Sequence, residues 1–184
     1  MDVAPPLRRP LAGVTLVELL ATCAVALTVL AVGIPALGSF ICYQDTVAAT
    51  NAIVTNLALA RHAAVTSGQP VVLCPSIDGR GCSSGFDWSE GWLVFQDANH
   101  DRQYQAAETR LAVTARPAER VRILTSSGRR RIVYRLNGGS GGSNVTFRIC
   151  DARDAARNRK VVVNTTGRAR VERWNGSGTP INCD

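Results

Sequence analysis

The chain has 184 residues, 46% hydrophobic but only 5% aromatic, and 21 Lys/Arg against 14 Asp/Glu give it a net charge of +7. That length excludes two full domains and leaves room for one folded domain with a further segment. Residues 101–184 hold seventeen Lys/Arg, all arginine except Lys160, against seven acids; the excess suits a polyanionic partner, with solubility and the arginine bias of a GC-rich genome as the plain alternative.

The N-terminus, MDVAPPLRRPLAG, is short and basic, and an apolar run follows with no charged side chain from Leu19 to Gln44. The run is long enough to cross a bilayer as a helix. It is too long for the core of a secretory signal, and the small-residue pair Ala12–Gly13 stands in front of it rather than behind. Arg8 and Arg9 predict a cytoplasmic N-terminus and an exported remainder. Glu18 is the anomaly, because a carboxylate in a bilayer costs roughly 2.5–3.5 kcal/mol and the run holds no cation. Were the chain cut after Gly13, the new amine on Val14 of a neighbouring copy could meet Glu18, which would then set register in an assembly.

RRPLAG followed by VTLVELL resembles the class III leader of type IV pilins and pseudopilins. The resemblance implies that a prepilin peptidase cuts after Gly13 and that the new N-terminus, Val14, is methylated. It gives Glu18 the family's fifth-position glutamate role in assembly, and Pro35 that of the helix-kinking proline. Val14 departs from the family's usual phenylalanine. A plain signal anchor is the alternative.

Beyond Pro35 and Gly38 the pattern becomes amphipathic. Ala49, Ile53, Leu57, Ala60 and Ala64 fall on one helical stripe, and Gly68 with Pro70 predicts the stop. One helix over 14–67 is expected, with two helices broken at Pro35–Gly38 as the alternative. Strand-like runs follow at 70–74, 91–96, 109–113, 121–125, 131–136, 144–150, 160–164 and 168–174, rich in valine, isoleucine and threonine. They predict an antiparallel sandwich or paired sheets against the helix. NGGSGGS (137–143) is expected to be a flexible hairpin loop.

Of six cysteines, Cys23 lies in the apolar run and Cys42 just past it. The other four, in an exported domain, predict two disulfides; spacing suggests Cys74–Cys82 and Cys150–Cys183, although three pairings are open. No cysteine/histidine cluster has zinc spacing, so no metal is expected. Asp97 to Glu108 places oxygen residues at positions 1, 3, 5 and 12 of a calcium-type loop, but Arg102 occupies the glycine position and a polar hairpin loop is the expectation. His62 and His100 are the only histidines, and no nucleophile, Walker or dinucleotide motif occurs, so neither catalysis nor a cofactor is expected. The N-x-[ST] triplets at Asn144, Asn164 and Asn175 read as turn chemistry.

LARHAAVTSGQPVVLCPSIDGRGC (59–82) and WSEGWLVFQD (88–97), with Ile149–Cys150–Asp151 and Gly167–Arg168–Ala169–Arg170, resemble the GspH/FimT family of minor pilins and pseudopilins. The resemblance implies that FimT-type members bind DNA in natural transformation through the G-R-x-R arginines, and that GspH-type members sit near the tip of a type II secretion pseudopilus. In an extended segment Arg168 and Arg170 share a face. Gly167 would make the turn before them, and Arg173, Arg148, Arg157, Arg159 and Lys160 would widen the patch for sequence-independent phosphate contacts. A solvated strand face is the alternative. Trp174 is expected to fill the core rather than stack on a base.

The expectation is therefore an α+β, pilin-like fold: a long N-terminal helix, its hydrophobic half transmembrane, packed on a C-terminal antiparallel β-sandwich-like domain. A leader would occupy 1–13 and the helix 14–67, with 14–41 for membrane and assembly and 42–67 amphipathic; the β-rich domain would occupy 68–184. The expected function is a FimT-like minor pilin that binds double-stranded DNA non-specifically. Its partners would be prepilin peptidase, other pilins or pseudopilins and the inner membrane, with the domain periplasmic and then carried on a pilus. A GspH-type pseudopilin of a type II secretion system, or a structural initiator of assembly without DNA contact, is the alternative.

Overall fold

The computed structural model describes residues 13–183 apart from 127, 143, 175–177 and 180, and within the helix the side chains at 35–37, 39, 41 and 42 lie outside that description. The leader expected to run up to Gly13 falls almost wholly outside the described residues, as do the side chains of Pro35 and Cys42.

One helix, α1, runs unbroken over Leu16–Ser67. Thr15 caps its start: its hydroxyl accepts from Glu18 N–H at 3.3 Å and its carbonyl from Leu19 N–H at 3.1 Å. Gly68, at φ +64°, ends it in the left-handed conformation that a helix C-terminus favours. The chain divides into two compact units, Met1–Phe40 and Ile41–Asp184. In the first, Leu16–Ile34 is long and apolar enough to cross a membrane and buries none of its side chains. The hydroxyls of Thr22 and Thr28 donate to the carbonyls of Leu19 and Val25, which spares each an unpaired donor in apolar surroundings.

Among the described residues of the second unit, eight strands make two antiparallel four-stranded sheets. The first orders as β3 (Arg110–Ala115), β2 (Gly91–Gln96), β1 (Val71–Pro75) and β5 (Ile132–Tyr134). The second orders as β4 (Val121–Thr125), β6 (Val145–Asp151), β7 (Arg159–Val163) and β8 (Ala169–Glu172). A short 3-10 turn at Ala155–Arg157, capped by the Asp154 carboxylate, precedes β7.

The helical stripe of Ala49, Ile53, Leu57, Ala60 and Ala64 is buried in one core with residues of both sheets, among them Val71, Trp92, Ile123, Phe147 and Val161. Trp88 meets Phe147 edge to face at 5.1 Å. A second cluster of Val72, Cys74, Leu93 and Phe95 lies on the other side of β1 and β2. Both faces of these strands are therefore buried, which is why VVLCP and GWLVF read as continuous apolar runs rather than alternating ones. Disulfides join Cys74 to Cys82 and Cys150 to Cys183.

Residues 137–142 do not join β5 to β6 as a hairpin, because those strands belong to different sheets; the chain folds back on β5 instead, with Ser140 in an antiparallel bridge to Tyr134. The segment is a tied connection. Gly141 N–H donates to Val133 O at 2.8 Å, and Ser140 reaches the β7–β8 turn through N–H to Thr165 O at 3.1 Å and Oγ to Asn164 O at 2.7 Å.

Candidate nucleic-acid interface

The turn from β7 to β8 is built by Asn164 and Gly167. Asn164 Oδ1 accepts from Arg168 N–H at 2.9 Å, and Gly167 N–H donates to Asn164 O at 2.8 Å. Gly167 has φ +79°, and a Cβ there would collide with the carbonyl of Gly138. Only glycine tolerates both the left-handed backbone and that approach. The turn delivers Arg168 to the surface just ahead of β8.

Register then assembles the outer face of the second sheet. Leu124, Arg148, Lys160 and Glu172 face one another in a row across β4, β6, β7 and β8, with Thr146, Val162 and Arg170 in the next row. Arg168 and Arg170 line one cavity of ≈290 Å³ with Val162 and Asn164. Arg170 Nε donates to Glu172 Oε1 at 2.6 Å, and Lys160 Nζ lies 2.8 Å from Glu172 Oε2. These hydrogen bonds, that from Lys160 first, hold the Glu172 carboxyl below its ordinary range. One carboxylate thus engages two of the patch's cations. Arg168 is exposed and has no acidic partner among the described residues.

The remaining basic residues divide. Arg148 is half-buried on the same outer face. Arg157 is tied to Asp154 at 3.1 Å and Asp151 at 3.9 Å. Arg159 is buried on the inner face of β7, alternating with Lys160. Arg173 is exposed just past β8. Trp174 corrects the sequence expectation: it is half exposed, not core, because β8 ends at Glu172 and the indole lies beyond the sheet.

At the N-terminus, Gly13, Val14 and Glu18 are all exposed. The T-x-x-E spacing signals the cap, in which the backbone N–H of Glu18 donates to Thr15 Oγ1, and it places the Glu18 carboxylate in the helix's positive first turn. The 97–108 segment is the β2–β3 hairpin loop. Its carboxylates accept from backbone amides: Asp97 from Arg102, Asp101 from Gln103 and Glu108 from Ala98 and Gln105. Among the described residues no group of three or more His, Cys, Asp or Glu is placed to hold a metal ion.

The crystal structures of the type IV minor pilin FimU of Pseudomonas aeruginosa are similar to this chain at TM-scores of 0.51 and 0.50, with 19% and 18% identity. Each match covers 73% of this chain, and 91% and 96% of theirs. The minor pseudopilin EpsH of the Vibrio cholerae type II secretion system matches at a TM-score of 0.49 and 12% identity, over 77% of this chain and 98% of that one. No curated protein matches. At such identities the FimU likeness is one of fold: a pilin-like α+β architecture. The family model described as type II transport protein GspH matches residues 49–167, from the first alanine of the buried stripe to the glycine of the β7–β8 turn. By that match over most of its length, the chain belongs to the GspH family.

Proposed function

We propose that this protein is a minor pilin of the FimT type whose second sheet holds DNA during uptake in natural transformation. The observation that carries the reading is Arg168, fixed at the surface by a turn that only glycine can make, beside Arg170 and free of any described acidic partner. Guanidinium groups so placed grip successive phosphates without reading bases. Arg148, Lys160 and Arg173 extend the field, while Arg157 is engaged by Asp154 and Arg159 is buried on the inner face of β7. The same reading takes Gly13 as the last leader residue, cut by prepilin peptidase, and Val14 as the methylated start. It takes Glu18 and Pro35 as assembly residues, the helix as an inner-membrane anchor with a cytoplasmic N-terminus, and the domain as periplasmic and then pilus-borne.

The test is gel retardation of duplex DNA by the purified full chain. Arg168→Gln with Arg170→Gln should abolish retardation at concentrations where the unaltered chain shifts DNA; unchanged retardation rejects the site. A second reading, a pseudopilin of a type II secretion system, is favoured by the description of the family model. Deletion of the gene, scored in parallel for DNA uptake, twitching and exoprotein secretion, separates the two.

A further inference from the structure

The buried end of β7 holds a charge that the fold does not use. Arg159 is 9% exposed, its Nε has no hydrogen-bond partner, and among the described residues no carboxylate lies within ion-pair reach. Its guanidinium lies over the ring of Tyr43, 5.4 Å from the centroid. A buried guanidinium is stable only where acceptors meet it, and the described chain supplies none to Nε. Arg159 lines a cavity of ≈190 Å³ together with Arg157, Arg173, Tyr43 and Trp174. Arg157 is already engaged by Asp154. That leaves Arg159 at the floor and exposed Arg173 at the rim to take an anion.

The walls indicate which kind of anion. Trp174 is half exposed and Tyr43 nearly as much, so two open aromatic rings stand beside two guanidinium groups. Basic groups interleaved with aromatic faces suit a single nucleic-acid strand, which needs charge for its phosphate and a flat apolar surface for its base. An inorganic anion or an acidic side chain would use the arginines and leave the rings in water. A duplex keeps its bases stacked on one another and has no face to offer. Position agrees with this. Arg170 lines the cavity on the outer face of the second sheet and Arg173, three residues on, lines this one, so the end of β8 leads from the first to the second.

We propose that this pocket takes one unpaired nucleotide of a DNA strand, with Arg159 and Arg173 on its phosphate and its base stacked on Trp174. The proposal rests on the DNA reading for its class of partner and adds the form of the strand. The outer face of the second sheet holds duplex, and the pocket past β8 holds a single-stranded or frayed end. A duplex with such an end is then gripped at two places.

The experiment uses the full chain in uncharged detergent, titrated with hexathymidylate and read by tryptophan emission. Trp88 and Trp92 are fully buried, so quenching reports Trp174. The expected result is saturable quenching. Arg159→Met should weaken binding at least tenfold, and so should Arg173→Gln, an exposed change that leaves the core alone. Trp174→Leu, followed by the anisotropy of a fluorescein-labelled hexamer, should cost about tenfold, the scale of one stacked base. Absence of a saturable response overturns the proposal, as does undiminished affinity in Arg173→Gln or Trp174→Leu. An abasic hexamer of the same charge that binds equally well would reduce the pocket to a phosphate site. Inorganic phosphate or hexaglutamate acting at the same concentration would give it to free anions or to acidic peptides, and each of these results rejects the nucleotide. Gel retardation of a covalently closed duplex, which has no ends, isolates the premise. Retardation without hexamer quenching removes the pocket alone, whereas quenching without retardation removes the outer face as a duplex site and leaves the pocket as a single-strand site.

Discussion

Gly167 packs its α-carbon against the carbonyl oxygen of Gly138, leaving no room for a methyl group. The approach joins the β7–β8 turn to the segment after β5, and Tyr134 Oη reinforces it by donating to Gly167 O at 3.3 Å. Gly167→Ala meets both this clash and a left-handed backbone, which together should cost about 2–4 kcal/mol. Urea unfolding monitored by circular dichroism should show the lower midpoint. DNA retardation should weaken in the same variant, because the turn positions Arg168.

Arg168 and Arg170 are not equivalent. Arg170 is held by Glu172, whereas Arg168 is not, so Arg168→Gln should reduce DNA retardation more than Arg170→Gln. Glu172→Gln should strengthen retardation by releasing Arg170 and Lys160 at once. For every phosphate that a variant no longer neutralises, the slope of log K against log salt should fall by about 0.9. Acid gives an independent check. The Glu172 carboxyl is held below its ordinary value of 4.5, so its ion pairs are intact above that pH and are lost as pH falls through the lower, folded value. Retardation should therefore rise in that acid window in the unaltered chain and stay flat in Glu172→Gln.

The two disulfides close loops of different length, with sequence separations of 8 for Cys74–Cys82 and 33 for Cys150–Cys183. On the chain-entropy account, replacing the shorter bridge by serines should cost about 2–3 kcal/mol and the longer about 3–4 kcal/mol. Thermal unfolding of the two double variants should rank them in that order. The Cys150–Cys183 bridge also anchors the C-terminal segment, together with Asn158 Nδ2, which donates to Ile181 O at 2.8 Å.

Burial pushes the Tyr134 phenol up to about 12, against a smaller opposing pull from Arg61. A raised folded value means the contribution is fully present below the unfolded value near 10 and is lost as pH rises through the folded one. Stability should therefore decline from about pH 10 upward, and Tyr134→Phe should remove that part of the decline. Thermal melts between neutral pH and strong alkali, run on both chains, measure it.

Much of the fold can be read in the sequence because its signals are local. The stripe from Ala49 to Ala64 is a spacing pattern, and Gly68 with Pro70 stops the helix. Most strands are short runs of β-branched or other apolar residues between turn formers. Strand order is different. Whether β5 pairs with β6 or crosses to β1 depends on pairings far apart in sequence, and the glycine-rich 137–143 segment fits either connection equally well. The site was legible where it depends on glycine: NTTGRAR announces a tight turn followed by arginines on one face. It was less legible where a charge sits against expectation. Arg159 shares the parity of Val161 and Val163 in RKVVV, so alternation alone assigns it to the interior; the eye follows the basic run instead. Trp174 misled for the opposite reason, since indole usually fills space and only the end of β8 frees it.

The bare first half of α1 carries a last consequence. From Leu16 to Ile34 none of its side chains is buried by its own subunit, so this apolar surface is left for other surroundings to cover. Moving that segment out of lipid and into a sheath of like helices trades one greasy environment for another, with little net hydrophobic gain. On the proposed reading, the balance between storage in the bilayer and incorporation in a fibre would then rest on the few polar groups along the segment, with Glu18 first among them.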